Sequence, residues 1–168
     1  MDIRDILGQI ALFAEATTAE QRAELAGRCR LVTYASGMNV MTEGDFGGFM
    51  LAIVTGRLGV TRAASPAGRQ VATLGPGEIV GEMSLLTGAR RAATVTALET
   101  TIAVEITKVA LEALFMRSPD LLERMGALLA DRRARLDDRS ATRAGDSRTG
   151  EIIEAMRRLF GRKSPLSP

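Results

Sequence analysis

Side chains able to do chemistry concentrate in one stretch, residues 75–97, which reads GPGEIVGEMSLLTGARRAATVTA. Gly75, Gly77 and Gly81 precede an acid, Glu82, and a short apolar run. Gly88 then leads into Arg90, Arg91 and a strand-like AATVTA. Glycine lets backbone approach a ligand with no Cβ in the way. Residues 82–86 are expected to form a single helical turn, whose first N–H groups lack internal acceptors and suit an anion. An arginine a few residues downstream adds bidentate hydrogen bonds to phosphate. The Glu82 carboxylate only accepts, which suits a hydroxyl such as a ribose 2′-OH. Together these parts describe a cradle for a sugar phosphate with one anionic phosphate. The stretch is neither a nucleoside-triphosphate P-loop, which needs a GK[ST] ending, nor a GxGxxG fingerprint.

Composition narrows the chemistry further. The chain has 168 residues and is 46% hydrophobic, which fits one globular domain with a real core plus extensions. It has no histidine, which removes imidazole bases and His metal sites. The single cysteine, Cys29, excludes an internal disulfide and reads as a small buried hydrophobe. With Glu82 and Arg91 taken as ligand anchors, no acid–base or nucleophile set is left. The chain is therefore not read as an enzyme, and neither metal nor cofactor is expected. No run approaches the roughly 18 apolar residues of a membrane span, and no secretory signal is visible, so a soluble cytoplasmic chain is expected. Net charge is +2, and the excess of base lies in residues 132–168, with 10 Lys+Arg against 5 Asp+Glu. That tail is diluted with acids and has no helix-turn-helix pattern, so direct contact with nucleic acid is not expected.

The elements that must position the stretch are also visible. Ile3, Ile6, Leu7, Ile10 and Phe13 predict one amphipathic helix over residues 2–13, and Thr18 with Gln21 predicts a capping box opening a second helix. From Cys29 the period changes to short strand-like runs punctuated by glycine, as in an all-β sandwich or barrel. Gly37, Gly44, Asp45 and Gly56 are assigned to turns, not to ligand contact. Residues 65–70, SPAGRQ, read as an exposed hairpin loop. After the strand TTIAVEI, residues 108–116 predict a short helix with Val109, Leu111, Leu114 and Phe115 on its apolar face. Ser118 is expected to cap a longer helix through Leu136, with Leu121, Leu122, Met125, Leu128 and Leu129 as its stripe. The chain thus divides into an N-terminal helical segment (1–28), a β-roll (29–107), hinge and lid helices (108–136), and a flexible linker with a short amphipathic tail helix (137–168). The tail helix reads EIIEAMRRLFG, and the end, KSPLSP, is expected to be disordered.

The run GEMSLLTGARRAATV closely resembles, without gap or insertion, the phosphate-binding cassette of cyclic-nucleotide-binding domains. The resemblance covers about residues 5–136, including the I-x-L-F and TTAEQRAEL of the N-terminal helices and the G-x(6)-G-D of the early strands. It implies a mainly β fold with flanking α-helices, an eight-stranded antiparallel β-roll of jelly-roll type. It also implies a set of contacts to cAMP or cGMP. Glu82 would accept the ribose 2′-OH, Gly81 would leave room for the sugar, and Arg91 would hold the cyclic phosphate. The N–H groups of Met83, Ser84 and Ala92 would complete the anion site. Arg90 stands where the family commonly has proline. Members favouring cGMP often carry Ser or Thr directly after the phosphate arginine; Ala92 offers no hydroxyl, which implies cAMP with cGMP weaker. Arg132 falls where some bacterial channel domains of the family set an arginine against the adenine face.

For the output, RRAR, a polar linker and the tail helix resemble the C-terminus of bacterial cyclic-nucleotide-gated channels related to small-conductance mechanosensitive channels. The expected partner is then an attached or associated channel effector at the cytoplasmic face of a membrane, in a chain free to form a homo-oligomer. The alternative is a free-standing soluble regulator of a partner protein or of transcription. A regulator of the catabolite-activator kind needs a DNA-reading helix-turn-helix beyond the lid, and with the few residues that follow Leu136 that version is not expected.

Overall fold

The computed structural model describes residues 2–67, 69–137 and 145–160. Three short helices open the chain: α1 (Ile3–Gln9), α2 (Ala11–Ala16) and α3 (Ala19–Ala26). The single helix expected over residues 2–13 is broken at Ile10, whose backbone is extended (φ −87, ψ 118). The break lets Ile6 and Leu7 of α1 and Leu12 and Phe13 of α2 bury in the same cluster. The capping box is present, with Gln21 N–H donating to Thr18 Oγ1 at 3.2 Å and Thr18 N–H to Gln21 Oε1 at 2.9 Å.

Eight strands follow: β1 (Arg30–Tyr34), β2 (Asn39–Met41), β3 (Phe49–Thr55), β4 (Leu58–Thr61), β5 (Gln70–Leu74), β6 (Ile79–Val80), β7 (Thr94–Ala97) and β8 (Thr101–Thr107). They form two antiparallel four-stranded sheets, β1-β8-β3-β6 and β2-β7-β4-β5, the jelly-roll type of roll expected. β3 is a nearly unbroken apolar run because both of its faces are covered. Leu51 and Ile53 join Val40, Leu58 and Val95 inside the roll, while Met50 and Ala52 face a second cluster built with the helices. Gly37, Gly44 and Gly56 have φ of +86, +87 and +95, the left-handed turn geometry that glycine adopts without strain.

The roll is followed by α5 (Lys108–Arg117), α6 (Pro119–Asp137) and α7 (Gly145–Phe160). Leu111, Leu114 and Phe115 are buried as expected, but Val109 is 72% exposed; Ala110 takes the inward place beside Leu111. The Ser118 hydroxyl accepts from Gln21 Nε2 at 3.0 Å, so it ties the N-terminal helices to the hinge, while the Ser118 carbonyl receives Leu121 N–H. α7 begins at Gly145, so the helix takes in residues 145–150 of the stretch read as linker. Residues 138–144 of that linker and the KSPLSP end lie outside the described residues.

Candidate functional site

Between β6 and β7 the chain forms α4 (Glu82–Thr87), the helical turn expected over residues 82–86. Left-handed glycines bound it on both sides, Gly81 (φ +83) as N-cap and Gly88 (φ +78) as C-cap. Gly81 is also required by space. A Cβ there would lie 2.5 Å from Arg91 Nη1 and 2.7 Å from Met41 Cε. The N–H groups of Met83 and Ser84 belong to the first turn of α4, where a helix has no acceptor of its own for them.

Arg91 is buried and held from several directions. Its Nη1 donates to Ser84 Oγ at 2.6 Å and to the Gly81 carbonyl at 3.0 Å, and its Nη2 to the Phe49 carbonyl at 2.6 Å. The guanidinium carbon stands 5.0 Å from the centre of the Phe49 ring. Its backbone is pinned as well, with Arg91 N–H donating to the Asp45 carbonyl at 2.7 Å and Gly44 N–H donating to the Arg91 carbonyl at 2.9 Å. Burial works against the charge, and Glu82, Asp45 and Tyr34 offset that cost. A guanidinium stays charged in proteins and has five donors, so fixing part of the fork sets the direction of the rest. Arg90, by contrast, is exposed; it donates to the Gly44 carbonyl at 3.2 Å and sits 4.5 Å over the Phe46 ring.

Glu82 opens α4 beside the same cradle. Burial raises its carboxyl above the ordinary range, offset in part by its own backbone N–H and by the charges of Arg132, Arg133 and Arg91. α6 therefore brings Arg132, half-buried, within electrostatic reach of Glu82. The structure thus gathers Gly81, Glu82, Met83, Ser84 and Arg91 at α4, places Arg132 on the helix beside them, and leaves Ala92 exposed at the rim.

Two contributors were not singled out from sequence. A Cβ at Gly47 would lie 2.6 Å from both Arg91 Cζ and Ser84 Oγ, so this glycine clears the space that the guanidinium fills. The Phe49 carbonyl is the other. The sequence signal was the GDFGGF run, in which a second pair of glycines follows the Gly44–Asp45 turn. Asp45, read only as a turn residue, also anchors Arg91 through its backbone. Among the described residues no group of three or more His, Cys, Asp or Glu is placed to hold a metal ion. The Cys29 thiol is pushed up to about 12 by burial and by the neighbouring Glu105 charge, so it is an inert packing group.

A β-roll that offers a helical-turn N-terminus, a fixed arginine and a carboxylate within one short cassette defines a sensor domain for a small anionic ligand. The family model of the cyclic nucleotide-binding domain matches residues 31–118, and this chain belongs to that family. It is 34% identical over 100 residues to the cyclic AMP receptor protein of Thermus thermophilus, an alignment covering 59% of this chain and 46% of the relative. It is 37% identical over 78 residues to glutaminase 1 of Bradyrhizobium diazoefficiens, covering 46% of this chain and 12% of that protein. The chain thus spans less than half the length of either curated relative. Among solved structures it resembles the N-terminal domain of a transcriptional regulator from Streptomyces coelicolor A3(2). That match has 30% identity and a TM-score of 0.68, and covers 84% of this chain and 99% of the other.

Proposed function

We propose that this chain is a cAMP sensor, binding cGMP more weakly, whose α6 helix carries the signal to an attached effector. The observation that carries the reading is Arg91, buried, fixed to Gly81 and Ser84, and facing the same short helix that bears Glu82. Arg91 takes the cyclic phosphate together with the first-turn N–H groups of α4, and Glu82 accepts the ribose 2′-OH. Arg132 covers the base from α6. Ala92 offers no hydroxyl to a guanine, and the Thermus relative is named for cyclic AMP, which supports adenine over guanine.

For the effector, the tail sequence favours a channel gate, with the described residues forming its cytoplasmic end; none of their helices is long and apolar enough to cross a membrane. A transcriptional or partner-protein regulator is the second reading, supported by the two relatives named as a receptor protein and a transcriptional regulator. The role proposed for the chain is binding and not catalysis.

Competition for a fluorescent cyclic nucleotide tests the binding claim. Unlabelled cAMP should displace the probe at lower concentration than cGMP, with AMP, which lacks the ring phosphate diester, far weaker. Failure of all three to displace, or a preference for cGMP, contradicts the proposal.

A further inference from the structure

The tail helix does not project away from the domain. Ile152, Met156 and Phe160 are buried in the same cluster as Leu85 and Leu86 of α4, Leu111 and Phe115 of α5, and Met125 of α6. Its side chains meet two helices at glycines. A Cβ at Gly126 of α6 would stand 2.8 Å from Ile153 Cγ1 and 3.2 Å from Met156 Sδ, while one at Gly88, which ends α4, would stand 3.6 Å from Leu159 Cδ1. The Phe160 ring packs edge-on against Phe115 of α5, with centroids 5.0 Å apart and planes at 81°. Lys108 Nζ lies 6.0 Å from the Phe160 ring, and Arg157 pairs with Glu123 of α6. One helix therefore touches the cassette, the hinge and the lid together.

We propose that α4, α5 and α6 form a binding groove for an amphipathic helix, that α7 is its ligand in cis, and that α7 in the groove opposes nucleotide binding. The sign follows from where α7 lies. Leu159 rests on the cassette and Ile153 and Met156 on the first half of the lid helix, so α7 stands between them. Packed helices keep their axes about 8–10 Å apart. α7 fills the space from Gly88 at the end of α4 to Glu123 and Gly126 of α6, so a closer approach of this part of α6 to the cassette has to displace it. By linkage, whatever α7 costs the nucleotide, the nucleotide costs α7. This inference rests on the reading proposed above, in which α6 covers the base and carries the signal.

The test uses the full chain with Gly126→Cys and Ile153→Cys. A Cβ on residue 126 lies 3.7 Å from the Ile153 Cα, which keeps the two Cα atoms inside the upper limit of about 6.8 Å that a disulfide spans. Cys29, the one native cysteine, is too inert to compete for the bond. With α7 pinned by oxidation, cAMP should bind about tenfold more weakly than after reduction. Met156→Asp, which puts a charge on the buried face of α7 and frees it from Gly126, should bind cAMP more tightly than wild type and decides the matter if the double variant does not fold. Equal affinity in oxidised and reduced protein, or tighter binding when pinned, overturns the inference while leaving the sensor reading intact. Wild-type protein that binds no cAMP overturns both.

Discussion

A methyl group at position 47 would stand 2.6 Å from the Arg91 guanidinium carbon and from the Ser84 hydroxyl. Neither partner can yield easily, because both belong to the hydrogen-bonded cluster that joins Gly81, Ser84 and Phe49 to Arg91. Gly47→Ala is therefore expected to destabilise the fold by about 1–3 kcal/mol, the usual cost of an overpacked core site. It should also weaken cAMP binding by turning the arginine. Urea denaturation and nucleotide titration of the same preparation check both effects, and an unchanged affinity would mean that Arg91 does not need this space. Glu82 makes a prediction of a different kind. Burial raises its carboxyl above the ordinary 4.5, so between 4.5 and the raised value the folded protein holds a proton that the unfolded chain has released. Stability from this group is then greatest below 4.5 and falls as pH rises through the folded value. Glu82→Gln removes the penalty. Its Tm should exceed that of wild type at pH 7, with the gap closing as pH drops to 4.5, while its cAMP affinity falls. Melting curves that differ equally at every pH would contradict the assignment.

At the scale of elements, α6 is the helix proposed to link site to output. A ligand shifts a conformational equilibrium only through contacts that differ between the states, and the cradle residues lie within the roll. Arg132 on α6 is the group placed to make such a contact. Arg132→Ala should cost about 1–2 kcal/mol of cAMP affinity, the range of a desolvated cation–π contact. It should largely abolish the protection that cAMP gives residues 119–137 in hydrogen exchange; equal protection in both proteins would place the lid elsewhere. Sequence read these elements well where the signal is local. The Thr18–Gln21 box, the glycine turns and the cassette helix are each satisfied by residues a few positions apart. Where the deciding partner is distant, sequence read less. The break at Ile10, the outward Val109 and the role of Gly47 depend on which surface each meets, as does the bond from Gln21 to the Ser118 hydroxyl. The apolar face of α7 was legible as a face; the groove that receives it was not.

For the whole molecule, two cores meet at the first sheet. One fills the roll, and the other packs the same strands against every helix from α1 to α7. β3 contributes to both, with Leu51 and Ile53 in the roll and Met50 and Ala52 against the helices, and α4 of the cassette packs directly on the C-terminal helices. In the proposed function this cradle holds a cyclic phosphate on Arg91, with Arg90 outside it at the rim. Isothermal titration of cAMP into wild type, Arg91→Ala and Arg90→Ala tests this most directly. Wild type should bind, and Arg91→Ala should lose about 2–5 kcal/mol, as when one partner of a buried charge pair is removed. Arg90→Ala should lose about 0–1 kcal/mol, as for an exposed pair. Equal losses at the two arginines, or no heat from wild type at high protein concentration, would contradict the claim.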